Sequence, residues 1–167
     1  MDNDFKAGFN HGYVVRAFND PHDIPRQAWN DLWAQQDQAT PFMRHEYLCA
    51  LHASGSALPR TGWSPTFITL WRDAQLHGAC PLYVKSHSYG EYVFDWAWAN
   101  AYEQHGLAYY PKAVVAVPFT PVPGARLLAA EAQAREALVH ALLQFCQTQN
   151  MSSLHMLWLS QADQQAC

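Results

Sequence analysis

The strongest constraint on the fold is the apolar run Ala113–Phe119, a Pro/Gly-rich turn, Thr120–Gly124, and a helical pattern over Glu131–Gln149. A short, continuous apolar run fits a strand buried on both faces. In the helix, Leu138, Leu142 and Phe145 form one row and Val139, Leu143 and Cys146 the adjacent row. Glu131 and Arg135 have the i,i+4 spacing of a favourable ion pair. Leu154–Leu159 reads as a further strand. Strand, long helix and strand make a β-α-β crossover, with a right-handed connection expected.

The rest of the chain supplies the other layers. Residues 1–12 read as a loose tail, and Tyr13–Phe18 as a first strand. Asp23 is placed to cap a helix with Pro25 in its first turn, running through Ile24, Ala28 and Leu32 to Gln36. A second helix spans Arg44–Ala53 and stops at Ser54-Gly55. Thr66–Arg72 is β-branched and aromatic, and a short turn joins it to Leu76–Lys85 as an antiparallel partner. Pro81 within that partner argues for an edge or a bulge. Tyr92–Gln104 reads as a helix. The order is β, α, α, β, β, α, β, α, β.

The bulk numbers set limits. The 167 residues fit one domain, here residues 13–167, and half of them are apolar. The net charge of −4 gives no electrostatic reason to expect nucleic acid, so a tRNA partner has no support from charge. No apolar run reaches membrane-spanning length and the N-terminus has no signal-peptide core, so a cytosolic location is expected. Cys49, Cys80, Cys146 and Cys167 show no C-x-x-C and read as free thiols, with Cys49 and Cys146 buried. The nine histidines make no zinc-type pattern.

Most of the chemistry lies in Val84–Leu128. Glu91, Asp95 and Glu103 stand among Tyr89, Tyr92, Tyr102, Tyr109, Tyr110, Trp96 and Trp98. Glu91 and Asp95 can share one helical face as bases; the alternative is a helix-start carboxylate favoured by the dipole. Tyr110 can protonate a leaving group, or pack beside Tyr109. Trp96 and Trp98 point to opposite sides of a helix, so one is expected in the core and the other, with Tyr89, along a sugar- or peptide-binding groove. Lys85 and Lys112 can bind phosphate or carboxylate, or stand as solvated strand ends. Ser86 and Ser88 beside His87 imply no nucleophile–base pair, because strand neighbours point apart.

The element order resembles an acetyltransferase of the GNAT type: an α/β fold with a mixed central sheet flanked by helices. PFMRHEYL (Pro41–Leu48), PRTGWSP (Pro59–Pro65), PLYVKSHSYGEYVFDWAWANAYEQHG (Pro81–Gly106), YYPK (Tyr109–Lys112) and VPFTPVPGARLL (Val117–Leu128) sharpen the likeness. They resemble a bacterial family of predicted N-acyltransferases, described as FemAB-like and linked to peptidoglycan biosynthesis. The resemblance covers roughly residues 40–160. Members are usually about twice this long, with two GNAT-like halves. This chain therefore corresponds to a first half, with a second half or a homodimer partner expected. Asn100 stands where the family has an aspartate, and Pro123 and Ala125 flank Gly124 where Thr and Pro are expected.

The resemblance implies transfer of an acyl or aminoacyl group to an amine. Tyr89, Trp96, Trp98, Tyr109 and Lys112 are then substrate-binding candidates, and Glu91, Asp95 and Tyr110 catalytic ones. Phe119, Thr120, Gly124 and Arg126, before the long helix, are the donor-site candidates. PFTPVPGA lacks the Q/R-x-x-G-x-G/A loop of acyl-CoA enzymes, and its three prolines remove N–H donors. The donor is thus acyl-CoA or an aminoacyl-tRNA, with no covalently bound cofactor. The alternatives are an inert GNAT-like module that binds a peptidoglycan-type precursor or a protein partner, and a purely structural half-domain.

Overall fold

A computed structural model describes residues 3–5, 12–93 and 95–167. The elements run β1 (Asn3–Phe5), β2 (Val14–Phe18), α1 (Arg26–Ala34), α2 (His45–Ala53), β3 (Trp63–Arg72) and β4 (Gln75–Lys85). They continue with α3 (Trp96–Gln104), β5 (Lys112–Val115), β6 (Leu128–Ala129), α4 (Ala132–Thr148), β7 (Leu154–Met156) and α5 (Gln161–Ala166). The sheet order is β1-β2-β3-β4-β5-β7, with β6 also paired to β4. Among the described strands only β5 and β7 pair in parallel, and α4 lies between them, as a crossover requires. The result is a mixed α/β sheet flanked by helices, compatible with the expected GNAT-like layout.

The β3–β4 hairpin is the spine. Asp73 and Ala74 both have positive φ, 49° and 62°. Left-handed backbone at both central positions gives a two-residue turn the twist of its strands. β3 is buried along both faces because its neighbours in sequence face different cores. Ile68 and Leu70 pack with Leu82, Val115, Leu138 and Leu142 under α4. Phe67 packs with Ile24, Trp29, Leu32, Met43 and Leu48 beneath α1 and α2. The Trp29 indole N–H also donates to the Met43 carbonyl at 2.8 Å, fixing the chain between those helices.

Several expectations change. Asn3–Phe5 pairs antiparallel with β2, inside the stretch read as a loose tail; apart from Gly12, the remainder of that stretch lies outside the described residues. Asp20, not Asp23, caps the first turn, accepting from His22 N at 2.9 Å, and α1 starts only after Pro25. Glu131 and Arg135 do not pair through their side chains: Glu131 accepts from Tyr13 Oη at 2.6 Å, while Arg135 donates to Gln36 at 2.9 Å. Leu143 is exposed, and small residues, Ala134, Ala137 and Ala141, take the contact side of α4. α5 was not anticipated.

The central strand is cut short, which explains Pro81. β5 ends at Val115; Ala116 and Val117 stay buried, and Phe119 turns the chain at φ 60°. The chain rejoins the sheet at Gly124, bridged parallel to Leu159. β4 therefore pairs with β5 at Leu82–Lys85 and with β6 at Gly78–Ala79, leaving a gap on that side at Cys80 and Pro81. A proline needs no partner there, so it sits in a central strand without being at a sheet edge.

Leu138 is fully buried against Ile68 and Leu82. Leu138→Ala should lose about 2–5 kcal/mol of stability, read from urea unfolding midpoints at unchanged slope.

Candidate active site

The register of β4 and β5 places Lys85 directly opposite Lys112. Opposed residues on antiparallel strands share a face, and like charges so placed repel. Both lysines are 0% exposed, so neither is a solvated strand end. Each would lose its hydration without return unless carboxylates came to it. Residues 86–111 leave β4 and come back into β5, and they carry the compensation with them.

Lys112 Nζ uses all three of its N–H groups: to Ser88 Oγ at 2.8 Å, Glu91 Oε2 at 2.8 Å and Asp95 Oδ2 at 2.5 Å. That is the full donor set of a protonated ammonium. Asp95 Oδ2 also accepts from Ser88 Oγ and Tyr109 Oη, each at 2.8 Å. Lys85 Nζ donates to the Tyr89 carbonyl at 3.1 Å, lies 3.5 Å from the centre of the Trp63 ring and 3.9 Å from Glu91 Oε1.

The environment drives the titrating groups apart. Burial lowers Lys85 to about 8, against the pull of Glu91, and Lys112 repels it further. Burial raises Glu91 although both lysines attract its charge. Burial also pushes Asp95 up, but hydrogen bonds from Lys112, Tyr109 and Ser88 outweigh it and hold the carboxyl below its usual range. Glu91 Oε1 and Asp95 Oδ1 remain without hydrogen-bond partners among the described residues.

A cavity of about 230 Å³ opens over this network. Ser88 and Tyr110 form its inner side, and His87, Tyr89, Trp96, Ala99 and Asn100 line the rest. Ser88 Oγ and Tyr110 Oη are 2.8 Å apart. Ser88 has one proton and gives it to Asp95, so Tyr110 donates to Ser88. The bonds run one way, from Tyr110 through Ser88 to Asp95. A proton entering at Tyr110 can thus reach a buried carboxylate although, among the described residues, no carboxylate or ammonium lines the cavity.

The structure gathers most of the sequence candidates. Asp95, Tyr109, Tyr110, Glu91 and Lys112 are in one network, and Tyr89 and Trp96 border the cavity above it. Glu91 and Asp95 do not share a helical face: Asp95 stands just before α3 without a capping side-chain bond, and Glu91 precedes it in the loop, yet both reach Lys112. Neither indole is in the core, since Trp96 is 56% and Trp98 66% exposed, and Trp98 does not line the cavity. Ser88 and Trp63 were missed. Ser88 lies in the loop after β4, not in a strand, so alternation did not govern its direction; nothing local marks Trp63 as the surface under Lys85.

The donor candidates lie along the loop that interrupts the central strand. Phe119 packs on Trp63 at 5.6 Å between ring centres, and its N–H donates to the Gly90 carbonyl at 3.1 Å. Gly90 has φ 82°, and a Cβ there would stand 2.6 Å from the Phe119 ring. Thr120 meets Tyr47 Oη at 3.3 Å, and Gly124 is pressed against Thr40 and Gln38. Arg126 is buried and donates through Nη2 to the Val122 carbonyl at 2.6 Å. The amides of Phe119, Thr120, Val122, Gly124, Ala125, Arg126 and Leu127 all donate within the protein, and residues 121 and 123 are prolines. No amide from 119 to 127 is left to cradle a pyrophosphate.

Fold and site together define a mixed α/β protein with a buried lysine–carboxylate network under an aromatic cavity at one end of its central strands. The FemAB-like family, described as peptidoglycan biosynthesis/recognition, matches residues 20–167, and the chain belongs to it. No match was found among curated proteins or solved structures. Among the described residues, no helix is long and apolar enough to cross a membrane.

Lys112→Met should cost about 3–5 kcal/mol in urea unfolding, because it strands two carboxylates; adding Glu91→Gln should return part of that loss. Lys85 gives a pH signature. Between about 8 and its ordinary value near 10.5, the unfolded chain holds the proton and the folded chain does not. Stability should rise with pH across that window, and Lys85→Met should flatten the rise in unfolding curves recorded at successive pH values.

Proposed function

We propose that the protein transfers an acyl or aminoacyl group to an amine of a peptidoglycan-type precursor. The observation that carries this reading is the directed path from Tyr110 through Ser88 to Asp95 at the inner side of the cavity. In the reaction the amine nitrogen attacks the donor's carbonyl carbon. A C–N bond forms, and the bond from that carbon to the departing thiolate or alkoxide breaks. The nitrogen must shed one proton and the leaving group must gain one.

Tyr110 takes the amine proton as its own passes to Ser88 and the proton of Ser88 passes to Asp95; the path then runs back, and Tyr110 gives a proton to the departing thiolate or alkoxide. Lys112 holds Ser88 and Asp95 in line and keeps Asp95 ionised until it is needed. Glu91 does not border the cavity; it balances the charge of Lys112 and Lys85. Holding donor and acceptor together supplies much of the rate, and no covalent intermediate is required. The occupied amides at 119–127 weigh against a donor held by its pyrophosphate there, and so favour an aminoacyl ester over acyl-CoA.

A second reading is a binding module for the same precursor or for a protein partner. The same occupied amides favour it, together with the exposed rings of Tyr89, Tyr92 and Trp96. Mass spectrometry of precursor incubated with aminoacyl-tRNA or acyl-CoA separates the two. Transfer should add the mass of one acyl group. Tyr110→Phe and Asp95→Asn should each lower kcat on the order of a hundred-fold or more while the fold persists. Precursor that binds without gaining mass under either donor would remove the transferase reading.

A further inference from the structure

We infer that the cavity beside α3 binds a hexosamine ring, with the amino group of the sugar directed at Tyr110. The proposal rests on the amine-acceptor reading for the role of Tyr110, and on the cavity's own chemistry for the sugar.

The walls fix the shape of the ligand. Tyr89 and Trp96 stand nearly perpendicular, 76° between planes with 5.6 Å between ring centres, and His87 packs on Tyr89 at 5.0 Å. This makes a corner of ring faces open to solvent, and Trp96 is held there on a helix that buries none of its residues. Among the described residues the only aliphatic wall is Ala99. A flat ligand with C–H bonds on one face fits such a corner, because ring faces attract polarised C–H groups.

The polar groups fix its charge. Those at the cavity are hydroxyls, an amide and an imidazole: Ser88, Tyr110, Asn100 and His87. Burial and the nearby Lys85 hold His87 below its ordinary value, so it is neutral at pH 7. Lys112 and Asp95 lie behind the hydroxyls with their charges paired. Among the described residues, a phosphate or carboxylate meets no free cation here. A neutral polyol meets hydroxyl and amide partners and stacking surface together.

Size and backbone exclude a length of peptide. A volume of about 230 Å³ accommodates one sugar ring rather than a run of residues. An added strand would need an open sheet edge, yet β4 and β5 are already paired to each other beneath the cavity. Among primary amines, the amino group of a hexosamine is a weak base, because its neighbouring C–O bonds withdraw electrons. It presents a neutral nitrogen to Tyr110 more readily than an alkylammonium does, in keeping with an uncharged lining.

Titration of the protein with the β-1,4 disaccharide of glucosamine, followed by the indole N–H resonances, tests the proposal without any donor. The Trp96 signal should shift saturably, and Trp96→Ala should weaken binding roughly ten-fold or more. Trp98→Ala should leave affinity unchanged. Both indoles are exposed, so neither substitution threatens the fold. No saturable shift at tens of millimolar sugar would overturn the proposal. So would binding that survives Trp96→Ala, or an equal shift from an alanyl-glutamyl-lysine tripeptide. Sugar binding without transfer would remove only the transferase reading; transfer without sugar binding would remove only this one.

Discussion

Two fully buried lysines facing each other across adjacent strands form the constraint on which the site depends. The hairpin spine and the crossover fix the register of β4 and β5, and that register sets Lys85 against Lys112. Neither ammonium can stay charged there alone. The chain between the strands must therefore return over them with carboxylates in place. Glu91, Asp95, Ser88, Tyr109 and Tyr110 come together because one electrostatic need gathers them, although up to 22 positions separate them in sequence. The network is neutral in sum when all four charged groups are ionised. Unequal burial still separates their affinities for protons, raising Glu91 and lowering Lys85 and Asp95.

The interruption of the central strand matters as much to the shape of the site. A continuous strand from Ala113 to Phe119 would have closed the sheet beside Pro81. Instead residues 116–123 leave the sheet, and Phe119 lands on Trp63, the ring beneath Lys85. The loop is thereby tied to the lysine–carboxylate network through one aromatic stack. Its amides are spent on Gly90, Trp158, Gln38 and Asp163, among others, which stiffens the re-entry at Gly124 and leaves no anion cradle. Membership of a family described as peptidoglycan biosynthesis/recognition agrees with a surface whose accessible groups are aromatic rings and hydroxyls rather than phosphate-binding amides.

α3 converts this buried arrangement into an accessible one. Asp95 at its start reaches inward to Lys112, while Trp96, the next residue, stands outward beside Tyr89. The helix therefore joins a carboxylate of the buried network to the aromatic wall of the cavity across a single peptide bond. In the reading proposed above, that short span is what would couple proton transfer to ligand binding.

The sequence by itself determined the layers. The periodicity of α4, the apolar start of β5, the β3–β4 hairpin and the following strand were legible because burial imposes a repeat on neighbouring residues. Glu91, Asp95, Tyr110 and Lys112 could be marked as candidates by residue type. The family motifs pointed to the same stretch. Only the tertiary structure decided what these residues do. Whether a lysine at a strand end meets water or a second lysine depends on strand register, which is a long-range property. Whether Asp95 is a dipole-stabilised cap or the end of a hydroxyl relay depends on where a loop places Ser88. Trp96 and Trp98 look alike in sequence and are both exposed; the distinction between them is which borders the cavity. Local pattern encodes which residues are apolar or charged, and the folded chain alone encodes which of them share a solvent-free space.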